Sequence, residues 1–142
     1  MFIGEFHFNI DEKGRLFLPS ELRKGLGEEV IVARGIEKCL YVYPTDAWNV
    51  MVEKISNLSF TKKNNREFSR MFLSGAYQRE IDTKGRINLD SILIEYSGLK
   101  KDCVILGVGQ RLEIWDKEAW IKYYSDRQSV IDSISEEIEL DI

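Results

Sequence analysis

The pentapeptide Asp-x-Lys-Gly-Arg stands twice in the chain, as Asp11 to Arg15 and as Asp82 to Arg86. Each copy sets a carboxylate, an ammonium and a guanidinium within one short turn, a combination that suits the binding of an anion. Asp can bond the amides just ahead of it and Gly tolerates positive φ, so Asp11, Gly14, Asp82 and Gly85 read as turn builders. Lys13, Arg15, Lys84 and Arg86 have no turn-forming duty. They are either solvated cations, with each Arg pairing back to its Asp, or two identically placed basic hairpins that face a repeated anionic polymer. The second reading has a chemical basis, because Arg forks onto phosphate oxygens and onto guanine edges.

Other chemistries find little support. His7 is the single histidine, which removes most general-base and metal-triad arrangements. No His-x-x-x-His, Cys-x-x-Cys or carboxylate-rich loop offers a metal site, so no metal and no cofactor is expected. Gly107-Val108-Gly109-Gln110 lacks the Gly-Lys-Ser/Thr ending of a phosphate loop and reads as a hairpin turn. Cys39 lies in an apolar strand, where a buried thiol is inert, and with Cys103 it makes a lone pair suited to a reducing compartment. The expectation is a non-enzyme without a small-molecule substrate. No stretch approaches the roughly 18 apolar residues of a membrane span, and Met1-Phe2-Ile3-Gly4-Glu5 does not look like a secretory signal.

The elements that must hold the two pentapeptides are themselves duplicated. At an offset of 71, Gly4, Ile10, Leu18, Ser20 and Leu22 recur as Gly75, Ile81, Leu89, Ser91 and Leu93. One inserted residue shifts the offset to 72, where Val32, Gly35, Leu40, Ala47 and Trp48 recur as Val104, Gly107, Leu112, Ala119 and Trp120. Between Gly4 and Trp48 there are 14 identities, where unrelated sequences would share roughly three. Each copy, about 50 residues, is too small to bury a core alone, so the two must pack on each other or on further chains.

Within a copy the pattern is short strands followed by a helix. Glu5 to Ile10 alternates as a half-buried strand does, and Arg15 to Leu18 resumes a strand after the turn. Pro19-Ser20-Glu21 opens a short helix, and Val30 to Ala33 with Leu40 to Tyr43 form a strand pair. Trp48, Met51, Val52 and Ile55 share one helix face, and Trp120, Tyr123 and Tyr124 begin the same stripe in the second copy. A helix around Asn64 to Leu73 joins the copies, and Val130, Ile131, Ile134 and Ile138 predict a last helix with an acidic outer face and an end that frays.

The net charge of −4 is unevenly spread. Residues 128–142 hold five acidic residues and no Lys or Arg, so residues 1–127 stand at +1. Lys62, Lys63, Arg66, Arg70 and Arg79 form a basic stretch opposed only by Glu67.

The opening Met-Phe-x-Gly and the paired Asp-x-Lys-Gly-Arg motifs closely resemble the MraZ family. So do Leu18-Pro19-Ser20-x-Leu22-Arg23, Cys39-Leu40-Tyr41-x-Tyr43-Pro44-x-x-x-Trp48, Gly75-Ala76 and Leu112-Glu113-Ile114-Trp115, the likeness covering residues 1 to 124. The resemblance implies an α+β fold with a β-rich core of two intertwined SpoVT-AbrB repeats. These span residues 1–55 and 75–127, joined by a basic helical connector at 56–74 and followed by an acidic tail at 128–142. It implies a cytoplasmic, nucleoid-associated transcriptional regulator that closes into a homo-oligomeric ring. Such a regulator binds double-stranded DNA at direct promoter repeats upstream of the division and cell-wall gene cluster and represses its own operon. Carried over, Arg15 and Arg86 contact DNA with Lys13 and Lys84 beside them, and Asp11 and Asp82 orient the arginines.

The second copy departs from the family pattern: Asp90 stands opposite Pro19 and Ile94 opposite Arg23. A carboxylate there repels phosphate, so the first copy's surface, with Arg23 and Lys24, is expected to be the better DNA surface. The acidic tail is read as a solubilising segment, the rival being phosphate mimicry over the basic surface. An alternative class is a protein-interaction module of the antitoxin type, which neutralises a partner protein through its tail.

Overall fold

The computed structural model describes residues 1–139. Residues 140–142 of the acidic tail, Asp141 among them, and the expected fraying of its end lie outside the described residues.

The first repeat runs β1 (Phe2–Asn9), β2 (Arg15–Phe17), α1 (Ser20–Leu26), β3 (Glu29–Arg34), β4 (Leu40–Pro44) and α2 (Thr45–Ser56), followed by α3 (Lys63–Ser74). The second repeats the order as β5 (Ala76–Glu80), β6 (Arg86–Asn88), α4 (Ser91–Ser97), β7 (Asp102–Gly109), β8 (Arg111–Asp116) and α5 (Lys117–Gln128), followed by α6 (Ile131–Glu137).

Strand pairing exchanges the two copies. The six-stranded sheet has the order β1-β7-β8-β4-β3-β5, so the first strand of each repeat pairs with the third strand of the other. The copies meet at β4 and β8, where Leu40 faces Ile114 and Val42 faces Leu112. A second, two-stranded sheet pairs β2 with β6 through Arg15–Asn88, Leu16–Ile87 and Phe17–Arg86. The amide of Leu18 bonds the carbonyl of Gly85 and that of Leu89 bonds Gly14, so each turn is stitched to the other copy. Neither repeat can bury its core without its twin, because most strand pairing partners lie in the other copy, 43 to 107 residues away.

The two-residue period of the strands sends alternate side chains to opposite sheet faces. Leu40, Val42, Cys103, Ile105, Leu112 and Ile114 join Leu16, Ile87, Leu22 and Leu93 in one core beneath the hairpins and the short helices. Cys39, Tyr41, Tyr43, Val104, Leu106 and Trp115 join Ile55, Phe72 and Trp48 in a second core beneath the longer helices. Burial raises the Cys39 thiol far above its ordinary range and raises Cys103 to about 11, so neither is a thiolate near neutrality.

Three details correct the sequence reading. Gly107 belongs to β7, and the turn is confined to Gly109 and Gln110 between Val108 and Arg111. A Cβ at Gly107 would collide with the backbone of Phe2 and Ile3, so glycine there admits the close approach of β1, which starts earlier than the Glu5 to Ile10 alternation predicts. On α5 the aromatic stripe is only partly covered: Trp120 packs on the buried Trp115 at 5.4 Å, but the helix fully buries no residue and Tyr123 and Tyr124 remain exposed.

Candidate nucleic-acid interface

The hydrogen bonds that close the two pentapeptide turns have the same partners and agree in length to within 0.1 Å. Asp11 Oδ1 accepts from the amides of Lys13 and Arg15, each at 2.9 Å, and Asp82 Oδ1 accepts from Lys84 and Arg86 at the same distances. Asp11 Oδ2 accepts from Arg15 Nε at 2.7 Å, and Asp82 Oδ2 from Arg86 Nε at 2.8 Å. Gly14 and Gly85 sit at φ of +80° and +83°, the left-handed region an L side chain avoids. The Arg15 amide, followed by its guanidinium, holds the Asp11 carboxyl below its ordinary value of 3.8, and Arg86 does the same for Asp82.

The Asp–Nε bond has a chemical consequence. A guanidinium has one donor edge through Nε and another through its two terminal nitrogens, and Asp occupies the first. The terminal edge, whose spacing matches guanine O6 and N7 or two phosphate oxygens, stays free. Among the described residues neither arginine's terminal nitrogens have a hydrogen-bond partner, and Lys13 and Lys84 are exposed beside them. The structure therefore brings Asp11, Lys13, Gly14 and Arg15 together, and Asp82, Lys84, Gly85 and Arg86 together, as two matching hairpins joined through β2 and β6.

What flanks each hairpin is exchanged relative to the sequence reading. Arg23 of α1 packs across the second hairpin, since a Cβ on Gly85 would fall inside the Arg23 guanidinium. Its Nε is buried without a partner among the described residues. The equivalent Ile94 of α4 packs across the first hairpin, 3.4 Å from where a Gly14 Cβ would stand. Asp90 also lies near the first hairpin, lining with Glu12, Lys13, Gly14 and Arg79 a cleft of about 400 Å³. Arg23, counted from sequence with the first copy's surface, thus stands beside the second copy's turn. Short loops after β2 and β6 deliver each helix to the opposite copy, because those strands pair across the repeats. Lys24 is exposed on α1.

Nor is Asp90 a free carboxylate. Arg79 Nε donates to Asp90 Oδ1 at 2.9 Å, and Arg79 Nη2 makes a second, shorter bond to Oδ2. At the offset of 71 these two positions correspond to Phe8 and Pro19, so the pair replaces an aromatic residue and a proline together. The repeat comparison contains this signal, as opposite charges at two positions that are uncharged in the first copy. Phe17 is a further residue the motif reading missed: Arg86 lies over its ring at 5.7 Å, while Arg15 faces Asn88 across the strand pair. The Arg86 side chain is accordingly 17% exposed against 32% for Arg15.

Two crossed copies of a strand–turn–strand–helix unit, with one Asp-held arginine in each turn, define a duplicated swapped-hairpin domain of the SpoVT-AbrB kind. The family model described as "MraZ protein, putative antitoxin-like" matches residues 1–71 and again 72–139, so the chain belongs to the MraZ family. The boundary between the two matches falls within α3, and the second match runs through α6. A protein of Natranaerobius thermophilus named "Transcriptional regulator MraZ" is 48% identical over 97% of this chain and 96% of its own length. One of Lactobacillus delbrueckii subsp. bulgaricus with the same name is 45% identical over 98% and 97% respectively. The solution structure of PHS018 from Pyrococcus horikoshii is matched at 13% identity over 80% of this chain and 88% of that one, with a TM-score of 0.34, too loose to inform the fold. No described helix is long and apolar enough to cross a membrane, and no described group of three or more His, Cys, Asp or Glu side chains could hold a metal ion.

Proposed function

We propose that the chain is a transcriptional regulator that reads double-stranded DNA through its two hairpins and closes with further copies of itself into a ring. The observation that supports this reading is the arginine held by Asp through Nε in both turns, which leaves the terminal edge of each guanidinium without a hydrogen-bond partner among the described residues. Arg15 and Arg86 read base edges or fork onto phosphates. Lys13, Lys84, Arg23 and Lys24 supply further positive charge, and Asp11, Gly14, Asp82 and Gly85 hold the geometry. Similarity to the regulators named above supports the same class.

One subunit makes few contacts, so affinity comes from neighbouring subunits engaging successive direct repeats, the second contact being effectively intramolecular. The target is a tandem-repeat promoter upstream of the division and cell-wall gene cluster, and occupancy there represses the protein's own operon. Anisotropy titration of labelled duplexes with one, two and four repeats tests the reading. Affinity is expected to climb with repeat number and to fall steeply with salt, by about 0.9 logarithmic units per phosphate contact for each decade of salt. Equal, salt-independent binding to all three, or no binding at low salt, refutes it. A stoichiometric protein partner copurifying in place of DNA would instead point to the antitoxin-type reading.

A further inference from the structure

The small sheet of β2 and β6 has one buried face and one open face. Leu16 and Ile87 oppose each other at its centre and are fully buried. Successive strand residues point to opposite faces, so Arg15, Phe17, Arg86 and Asn88 share the outer one. They stand in two cross-strand rows, Arg15 beside Asn88 and Phe17 beside Arg86. Two residues of strand rise, about 6.8 Å, separate the rows, which is roughly two base-pair steps of a duplex. Each row therefore sets the arginine of one hairpin next to a residue from the other copy.

The arginines are equivalent and their companions are not. At the offset of 71, Arg15 corresponds to Arg86 and Phe17 to Asn88. The register makes the two strands symmetric about the Leu16–Ile87 pair, and an outer face with the same symmetry would read an inverted repeat. Phe17 against Asn88 breaks that symmetry at the surface while the backbone keeps it. The two residues also differ in what they can read. Asn88 is exposed, and its Oδ1 lies 3.4 Å from where a Gly14 Cβ would stand, so its carboxamide borders the first turn. A carboxamide donates and accepts at once, which matches N6 and N7 of adenine. Phe17 packs in neither core and is 45% exposed, with the Arg86 guanidinium over its ring. A ring of this kind offers a base edge no hydrogen bond, but it packs on the C5 methyl group of thymine.

A two-stranded ribbon fits the major groove of B-form DNA, where each base pair shows a distinct edge. We propose that Asn88 and Phe17 are the specificity-determining residues of the hairpin pair: Asn88 selects an adenine beside the Arg15 contact, and Phe17 selects a thymine beside the Arg86 contact. One row reads by hydrogen bonds and the other by apolar contact, so the site acquires a direction, as the reading of direct repeats requires. The inference rests on the regulator reading above and deepens it by naming what distinguishes a repeat from its inverse.

Selection from a random-sequence duplex library, followed by competition anisotropy with the full chain, tests it. The wild type is expected to enrich a site without inversion symmetry. In that site, uracil in place of one particular thymine should weaken binding about fourfold, the worth of one methyl group. Replacing one particular adenine by 7-deazaadenine, which lacks the N7 acceptor, should weaken it about 2- to 12-fold, the worth of one hydrogen bond. Phe17→Ala should be blind to the uracil and still sense the 7-deazaadenine, and Asn88→Ala the reverse. Phe17→Asn gives both rows the same residues, so it should enrich an inverted repeat. Circular dichroism checks the fold of each variant, and the two base analogues act on the wild type alone. A wild-type site that is an inverted repeat, a wild type indifferent to either analogue, alanine variants as sensitive as the wild type, or a Phe17→Asn site that stays asymmetric each overturns the inference and leaves the regulator reading standing. A wild type that enriches no sequence overturns both.

Discussion

The two hairpins have the same backbone, the same Asp–Arg bond and the same glycine, yet they stand in different surroundings. The first includes Glu12, is covered by Ile94, and adjoins the Arg79–Asp90 pair. The second has Thr83 in place of Glu12, is covered by Arg23, and stacks Arg86 on Phe17. Counting only the turn and the side chain over it, the first is neutral and the second stands at +2. Duplication thus preserved the geometry that orients an arginine and let the charge around it diverge. Under the proposed function, the second hairpin would favour a phosphate-rich contact, and the first a contact in which base edges weigh more.

The sharpest way to break this contrast is to remove each arginine in turn. Arg86→Ala is expected to lower affinity for a tandem-repeat duplex by roughly 10- to 100-fold, within the range of a lost bidentate contact. Arg15→Ala should cost less affinity and more base discrimination, both read by anisotropy on cognate and scrambled duplexes. Equal losses on both duplexes would erase the distinction. A smaller effect follows from exchanging the covering residues. Arg23→Ile should reduce the salt slope by about one per engaged subunit, and Ile94→Arg should raise it by about one. A slope indifferent to both would show that what lies over the turn does not matter to DNA.

The Arg79–Asp90 pair offers a finer test. Both partners are partly exposed, so Arg79→Ala is expected to cost about 0.2–1 kcal/mol in urea unfolding, with Asp90→Ala in the same chain removing most of the added penalty. The single variant also frees a carboxylate beside the first hairpin. Its DNA binding should weaken at low salt, and the double variant should recover. The smallest effect is that of acid on the turns. Asp11 and Asp82 are held below their ordinary value of 3.8, so their contribution is complete above that value and is lost as pH falls through the lower folded value. Melting temperature should therefore show no step from these groups between pH 7 and 5, and Asp11→Asn should blunt the decline seen below about pH 4. An earlier step would mean that the aspartates are not held as the geometry has them.

Much of this was legible in the residues. The turns could be read because Asp bonds amides only two and four positions ahead, which makes the hairpin a local object. The helix face of Trp48, Met51 and Ile55 and the alternation of Phe6 and Phe8 were legible for the same reason. The partners of Arg23, Asp90 and Phe17 were not. Arg23 meets Gly85, and Phe17 meets Arg86, across roughly 60 to 70 positions of sequence, and no periodicity within one copy records such a crossing. The exposure of Tyr123 and Tyr124 was hidden as well. An amphipathic stripe says that a face is apolar but not what covers it.

The sequence by itself determined that the chain is a duplication, that each copy carries an Asp-braced basic turn, and that the negative charge belongs mainly to the terminus. Those properties follow from residue identity and short-range bonding, and they hold in any arrangement of the two copies. Only the tertiary structure decided which helix guards which turn. The second strands of the two repeats, β2 and β6, pair with each other, and that crossing sends the second copy's carboxylate to the first hairpin and the first copy's Arg23 to the second.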